Sequence, residues 1–391
     1  MSEMMALAGA PGPDQREPEQ RVTPLELFFD LVFVFAITQV TALIAADSTW
    51  TRLLQGMAIF VVVWWAWCSY AWLGNTAASD DGLFRITLFA ATAAMLLVAI
   101  AVPGAFGPDA LAFGLAYAVV RALHVGAYAV LGRGDATLTL LVRHLAMSMV
   151  PAATLLVVAG VVDGTARTAC WIAAIAIDLG GLYVVGAEGW RVQAGHLAER
   201  FGLIVIIALG ESIVALGAGA EGHALDAGLI AGVVLGVAVA CALWWAYFDV
   251  VALVAARRFE RAEPGERIRI ARDSYTYLHA PMVAGIILFA LGVKKTLAHY
   301  GDPLEAVPAF GLCGGVALYL LAHVAFRLRN VHTLNRARLA TALVLLALVP
   351  LATEVAALLA LALVAALMVG LLTYEFVHFH AARERLRHAL R

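Results

Sequence analysis

Twelve stretches of about 20 apolar residues run through the chain, each bounded by charged residues, Gly or Pro. A helix needs an apolar run of about this length to cross the hydrocarbon core of a bilayer. The runs lack the two-residue alternation that marks the strands of a membrane barrel. Because every backbone N–H and C=O group in lipid must be bonded within the protein, these stretches predict membrane-spanning helices.

The predicted fold class is therefore all-α, a polytopic transmembrane helical bundle of about 12 spans. Composition agrees, since 63% of the residues are apolar and only 14% are charged, against about 25% charged residues in a soluble domain. The first six spans are expected near residues 24–45, 52–73, 83–104, 110–131, 144–163 and 168–188, and the other six near 200–220, 228–252, 274–294, 306–327, 338–356 and 357–377.

Short motifs recur between the two sets of spans, as they do in transport folds built from internal repeats. Residues 64–67 (WWAW) match 244–247 (WWAY), and residues 150–154 (VPAAT) match 349–353 (VPLAT). Because six is an even number, the second set would insert in the same direction as the first, which predicts two parallel six-helix repeats. The expected organisation is a disordered cytoplasmic tail over residues 1–22, repeats over 23–189 and 190–378, and a basic cytoplasmic tail over 379–391.

The positions of the cations predict the orientation, since Lys and Arg in short loops stay in the cytoplasm. Most of the 26 Lys and Arg residues lie on the side that holds both termini, and the first residues, polar and acidic, predict no cleaved signal peptide. The largest cluster could bind anionic lipid headgroups, or it could act only as a topology signal. This cluster consists of Arg257, Arg258, Arg261, Arg267, Arg269 and Arg272.

Several classes of function are not expected. The four cysteines lie apart, with spacing that fits neither a disulfide framework nor a zinc site. A formal charge of -2 gives no basic field for nucleic acid, and there is no Walker motif, nucleophile elbow or H-E-x-x-H sequence. We therefore expect no metal, no cofactor and no enzymatic activity, and as partners the bilayer and a small solute, monovalent cation or proton.

Polar side chains inside the spans are the candidates for function. Glu26 and Asp30 are four residues apart, so they share one face of the first helix and could form a cation or proton site. The alternative is structural, with Glu26 among the lipid headgroups and Asp30 held by a neighbouring Arg or by helix-end amides.

Glu211 is expected near the middle of the seventh span. Inserting an ionised carboxylate there costs about 2 to 3 kcal/mol or more of free energy, unless it has a partner or a proton. Ser212 beside it can donate a hydrogen bond, and Gly210 would let another helix approach closely. Aligning the two halves places Thr38 and Gln39 opposite Glu211 and Ser212, so two polar patches would meet. A packing contact is the alternative to a lined pathway.

His279 begins the ninth span, and Pro281 after it would bend the helix and free carbonyls that could coordinate a cation. A hydrogen-bonded packing role is the alternative. Arg121 and Asp178 are expected to form a structural salt bridge, and packing is the favoured role of the tryptophans at 64–67. Six further polar residues are expected to be structural: His124, Glu188, Asp249, His323, Glu354 and Glu375.

Three segments resemble the signatures of the bacterial low temperature requirement protein A (LtrA) family. They are residues 23–36 (TPLELFFDLVFVFA), residues 196–203 (HLAERFGL) continuing to 208–212 (ALGES), and residues 277–282 (YLHAPM). The resemblance implies a multi-spanning protein of the bacterial inner membrane in a family named for a growth requirement in the cold. It does not supply a molecular activity.

Our first functional hypothesis is a secondary transporter or ion-conducting protein that uses the membrane-embedded polar residues. A channel of two six-helix repeats, like the lysosomal-type potassium channels with R-x-x-x-F-S-D on the first span, is one variant, although Pro24 stands where that Arg would be. The alternative is a non-transporting sensor, assembly factor or lipid-interacting factor that supports growth in the cold. An enzyme acting on lipid is a third reading, without recognisable catalytic spacing.

Overall fold

Helices account for almost all of the computed structural model, which describes residues 22–76, 82–184, 190 and 192–378. No β-strand occurs among these residues. The helices are α1 (Pro24–Ala46), α2 (Trp50–Gly74), α3 (Gly82–Ala101), α4 (Ala110–Leu131), α5 (Ala136–Ala159), α6 (Gly164–Val184), α7 (Ala194–Ala220), α8 (Ala227–Phe248), α9 (Val251–Glu260), α10 (Pro264–Ile270), α11 (Leu278–Ala298), α12 (Ala306–Ala309), α13 (Gly315–Val331), α14 (Arg336–Ala352) and α15 (Ala357–His378).

Ten helical segments of the described chain are long and apolar enough to cross a membrane. They include α8 joined to α9, and α10 joined to α11. The helices α6 and α14 lie at the sixth and eleventh predicted spans, but α14 has only 17 residues and α6 carries Arg167 and Asp178. The predicted terminal tails and Glu188 lie outside the described residues.

Two π-helical segments interrupt the second half of the chain. Residues Ala271–Tyr277 join α10 to α11, and Phe310–Gly314 join α12 to α13. The sequence predicted a bend in the helix near Pro281. The α-helix α11 instead continues through Pro281, and the irregular turn is the wider π-helix that comes one turn earlier.

The same kinds of helix pair pack in both halves. In the first half, α1 contacts α2 and α3, α3 contacts α4, α4 contacts α5, and α5 contacts α6. In the second half, α7 contacts α8 and α11, α11 contacts α13, α13 contacts α14, and α14 contacts α15. The halves meet where α1 and α2 touch α7 and α11.

Glycines allow a close helix crossing between α11 and the segment that leads into α13. A Cβ on Gly292 would lie 2.4 Å from the backbone nitrogen of Leu312, and one on Gly285 would lie 2.6 Å from the carbonyl oxygen of Gly315. Backbones can approach this closely only without side chains between them. This crossing holds α11 rigidly behind the junction of the halves.

Candidate functional site

The first turn of α1 fixes the position of Glu26. Thr23 and Glu26 form a capping box, in which the backbone N–H of Glu26 donates to Oγ1 of Thr23 (3.3 Å) and the backbone N–H of Thr23 donates to Oε2 of Glu26 (2.9 Å). Pro24 occupies the first turn, where no backbone donor is needed. Glu26 is nevertheless only 2% exposed, so its side chain faces the protein interior.

The helix α7 supplies the cationic partners of the α1 acids. Nε2 of His196 lies 3.1 Å from Oε1 of Glu26, and Nη1 of Arg200 lies 3.4 Å from the same oxygen. Nη2 of Arg200 donates to Oδ1 of Asp30 over 2.8 Å. Each helix contributes residues four apart, so one face of α1 meets one face of α7. All four side chains are at most 2% exposed.

Trp67 of α2 and Asn75, which caps the end of α2, complete this group. We call it the junction cluster: Glu26, Asp30, Trp67, Asn75, His196 and Arg200. Nε1 of Trp67 donates to Oδ1 of Asp30 (2.9 Å), and the guanidinium carbon of Arg200 lies 5.7 Å from the Trp67 ring centroid. Asn75 accepts the backbone N–H of Gln193 through Oδ1 (2.8 Å), so its Nδ2 faces Nδ1 of His196 (3.2 Å).

These contacts set the charge of the junction cluster. The amide nitrogen of Asn75 can only donate, so Nδ1 of His196 accepts and Nε2 carries the ring proton toward Glu26. A neutral His196 leaves two carboxylates against one guanidinium. Oδ2 of Asp30 is buried with no hydrogen-bond partner among the described residues. The cluster is therefore one positive charge short, and Oε1 of Glu26, like Oδ2 of Asp30, accepts no hydrogen bond from the described residues.

Glu211 lies further along α7, about 16 Å from Arg200 at 1.5 Å per residue. Its Oε2 is 2.5 Å from Oγ1 of Thr38, which is also 3.1 Å from the carbonyl oxygen of Val34. One hydroxyl proton cannot serve both oxygens, whereas a protonated Glu211 donating to Thr38 satisfies both bonds. The described part of the chain places no Lys or Arg within ion-pair distance of Glu211.

The two polar patches meet as the alignment of the halves predicted, because Thr38 on α1 contacts Glu211 on α7. Ser212 is fully buried and its Oγ has no hydrogen-bond partner among the described residues, while Gln39 is half-buried on α1. The expectation for Gly210 was wrong, since a Cβ there would meet nothing within 4 Å. Among the described residues, no helix packs against the Gly210 side of α7.

His279 does not join the acids. Its Nε2 lies 2.8 Å from the hydroxyl of Tyr247 and its Nδ1 lies 2.9 Å from the carbonyl oxygen of Ser274. The Phe201 ring lies between it and Trp67, with centroid separations of 5.2 and 4.9 Å. This is the hydrogen-bonded packing arrangement, and it separates His279 from the junction cluster.

The tryptophans of α2 bind the π-helical segment. Nε1 of Trp64 donates to the carbonyl oxygen of Thr276 (2.9 Å), and Nε1 of Trp72 donates to the Thr276 hydroxyl (3.0 Å). Trp64 and His279 therefore occupy two backbone carbonyls of the π-helical segment, those of Thr276 and Ser274. Cation coordination through these carbonyls is therefore not supported, and the tryptophans have the packing role favoured by their sequence.

The arginine cluster follows α9, α10 and the π-helical segment. Part of it is engaged within the protein: Arg258 pairs with Glu266, Arg267 donates to the carbonyl oxygen of Glu260 (2.9 Å), and Arg272 donates to Asp273 (2.7 Å). The exposed members are Arg261 and Arg269, and Arg257 is half-buried. Only the exposed guanidinium groups are open to lipid headgroups.

The residues expected to be structural divide into three groups. Arg121 and Asp178 form the predicted buried salt bridge, 2.8 Å long. Nε2 of His124 lies 2.9 Å from the carbonyl oxygen of Ser69, and Glu354 is exposed. The other three, Asp249, His323 and Glu375, line one cavity.

Sequence reasoning missed four residues of the junction cluster: Trp67, Asn75, His196 and Arg200. The signal that could have found two of them is the four-residue spacing of His196 and Arg200, which mirrors that of Glu26 and Asp30.

Comparison with known proteins shows that one family model covers every residue of the junction cluster. A family model described as bacterial low temperature requirement A protein (LtrA) matches residues 21–373. The chain is also similar to an uncharacterized protein, RA0937, of Rhizobium meliloti (strain 1021), with 29% identity over 284 residues, 70% of this chain and 69% of that protein. No solved structure matches the chain.

Proposed function

The chain belongs to the bacterial low temperature requirement A (LtrA) family, and we propose that this multi-pass membrane protein is a secondary transporter coupled to a proton or monovalent cation. In this proposal twelve helices cross the inner membrane as two parallel repeats, with both termini in the cytoplasm. The correspondence of packed helix pairs between the halves supports the repeats, and the positive-inside distribution of Lys and Arg supports the orientation.

One observation carries the proposal: two buried carboxylates face a single guanidinium where the halves meet. Glu26 and Asp30 share Arg200, while Asn75 and Glu26 hold His196 in its neutral form. An uncompensated negative charge is costly inside a membrane protein. Uptake of one proton or one monovalent cation at Oδ2 of Asp30 neutralises the cluster.

Uptake at this position couples to the packing of the halves. The bond between Arg200 and Asp30 ties α7 to α1, and a neutralised Asp30 holds Arg200 less strongly. Because the cluster is closed to solvent, exchange of its proton or cation requires α1 and α7 to separate. That coupling between ion exchange and movement of one half against the other is the requirement for alternating access.

Glu211 has a second role in this proposal. It lies on the same α1–α7 seam as Asp30 but toward the opposite end of both helices, with Thr38 and Ser212 beside it. A protonated carboxyl group here provides a second exchange position on the seam.

The experiment is ion flux in proteoliposomes that contain a pH-sensitive dye, tested with a panel of monovalent cations and small solutes. We expect solute- or cation-dependent proton movement in the wild type, with at least tenfold slower movement in Asp30→Asn and in Glu211→Gln. The matched control is Glu354→Gln, because Glu354 is an exposed acid away from the seam.

The outcomes separate the readings. Flux that is lost in both seam variants but kept in Glu354→Gln supports transport through the α1–α7 seam. Absence of flux for every solute and cation, from correctly inserted protein, contradicts the proposal and favours a non-transporting sensor, assembly or lipid-interacting factor.

A further inference from the structure

A cavity of about 110 Å³ lies in the second half of the chain, among α8, the start of α9, α13, α14 and α15. Charged side chains of both signs line it, together with an aromatic ring: Trp245, Asp249, His323, Arg327, Arg338 and Glu375. None of these residues belongs to the junction cluster. At roughly 30 Å³ per water molecule in the liquid, this space corresponds to three or four waters, or a molecule of about six heavy atoms.

Two of the lining charges neutralise each other. Nε and Nη2 of Arg338 each donate to a different carboxylate oxygen of Glu375, both over 2.9 Å. This bidentate geometry is the strong form of an Arg–carboxylate pair. Arg338 and Glu375 therefore form a neutral wall that does not select a ligand by charge.

His323 presents a donor without an acceptor. Nη1 of Arg338 lies 2.9 Å from Nδ1 of His323, and because a guanidinium only donates, Nδ1 accepts and the ring proton is on Nε2. His323 is 1% exposed, and Nε2 has no hydrogen-bond partner among the described residues. Since buried donors are almost always satisfied, this N–H indicates an acceptor that the described residues do not supply.

The corresponding histidine of the first half shows the contrast. His124 lies 199 residues before His323, the same offset that separates the motifs at 150–154 and 349–353. Its Nε2 is 2.9 Å from the carbonyl oxygen of Ser69. The cavity beside it measures only about 20 Å³ and is lined by Trp72 and Trp190. The ring N–H of His124 thus has an acceptor on the protein beside a small cavity, whereas the ring N–H of His323 has none among the described residues beside the larger one.

We propose that the cavity beside His323 binds a small zwitterion of the size of glycine or alanine. Its carboxylate accepts from Nε2 of His323 and lies toward Arg327, and its ammonium group lies toward Asp249 and the indole face of Trp245. A ligand with both charges matches a lining that carries both, whereas a simple anion or cation meets a like charge at one end. Binding here does not depend on whether the protein transports.

The test is equilibrium binding of radiolabelled glycine and L-alanine to the purified full-length protein in detergent. We expect saturable binding of one molecule per chain, with acetate and ethylammonium, which each carry one end of the zwitterion, competing at least tenfold more weakly. Arg327→Gln is expected to weaken binding at least tenfold, and it changes an exposed side chain, so folding is preserved.

Two histidine variants separate the N–H group from packing. His323→Gln can keep a donor in the cavity and is expected to retain most of the binding, whereas His323→Phe removes the donor and is expected to lose it. His124→Gln is the matched control in the first half and should bind normally. Absence of saturable binding by the wild type, or equal binding by the wild type and Arg327→Gln, overturns the proposal.

Discussion

Arg200 on α7 donates to Asp30 on α1 over 2.8 Å, although 170 positions of sequence separate them. The bond joins the two halves of the chain at a buried site, and it joins two of the sequence segments that carry the family resemblance. The recurrence of charged residues inside these apolar helices thus has a physical explanation: each segment supplies the charges that the other must neutralise.

Removing Arg200 should destabilise the protein more than any exposed ion pair would. Arg200→Met leaves Glu26 and Asp30 buried without their guanidinium, and breaking a buried pair in this way costs about 3–5 kcal/mol. Adding Asp30→Asn to Arg200→Met should restore part of the loss, because one uncompensated charge is then removed. The measurement is the unfolding midpoint in detergent.

The control for this prediction is Arg52→Gln. Arg52 pairs with Asp47 over 3.4 Å, but both side chains are substantially exposed, at 38% and 54%. Exposed pairs contribute roughly 0–1 kcal/mol, so the midpoint should hardly move. Equal losses for Arg200→Met and Arg52→Gln would contradict the account of the junction cluster.

The glycine crossing between α11 and the segment before α13 should tolerate no side chain. Gly292→Ala places a Cβ 2.4 Å from backbone, which must shift, so we expect a loss of about 1–3 kcal/mol, the usual cost of overpacking. Gly210→Ala is the matched control, because open space surrounds that position and Ala favours helix over Gly by about 1 kcal/mol. Unfolding in detergent measures both, and a stable Gly292→Ala protein would show that the crossing is looser than described.

Acid should weaken the cap of α8, which lies between predicted spans. Asp226 caps the helix by accepting from the backbone N–H of Leu229 (2.8 Å), and Tyr300 donates to its other oxygen (2.5 Å). These hydrogen bonds lower the pKa of Asp226 below its usual value. A lowered pKa means that the carboxylate stabilises the fold above the unfolded-state pKa, about 3.9, and that this contribution disappears as the pH falls through the folded-state pKa.

The measurement for the cap is the unfolding midpoint between neutral and acidic pH. Asp226→Asn should remove the part of the acid-dependent decrease in the midpoint that this residue contributes. Tyr300→Phe should make that decrease smaller. An unchanged profile in Asp226→Asn would show that the cap does not titrate.

Single engineered cysteines should report the arrangement of the two halves. Parallel repeats place position 261, in the arginine-rich connector, on the same side as the start of α1, and place position 222, between α7 and α8, on the opposite side. Labelling with an impermeant maleimide, in a background without the four native cysteines, distinguishes the sides. Labelling of position 261 and of the start of α1 from opposite sides would contradict two parallel repeats.

Sequence alone predicted the ten described helical segments that are long and apolar enough to cross a membrane, because the length and apolarity of a run decide whether a helix can cross a bilayer. It also predicted the Arg121–Asp178 pair, since opposite charges buried in neighbouring spans must find each other. The contact between Thr38 and Glu211 followed from aligning the two halves.

The partners of the α1 acids were not predictable in the same way. That Arg200 meets Asp30 depends on which faces of α1 and α7 pack, and hydrophobic periodicity is weak in helices that are apolar all round. The π-helical segment was likewise hidden, because its carbonyls are bonded by Trp64 and His279 from distant or later positions. The predicted close helix contact at Gly210 was wrong, because a small residue permits another helix to approach but does not cause it to do so.

The most direct test of the central claim, that the junction cluster is one positive charge short, is infrared spectroscopy of its carboxyl groups. In neutral buffer without added monovalent metal cations, we expect a protonated-carboxyl band that Asp30→Asn removes and Glu211→Gln does not. If a metal cation is the coupling ion, adding that cation should displace the proton and remove the band. Identical spectra for the wild type and Asp30→Asn, with and without such cations, would contradict it.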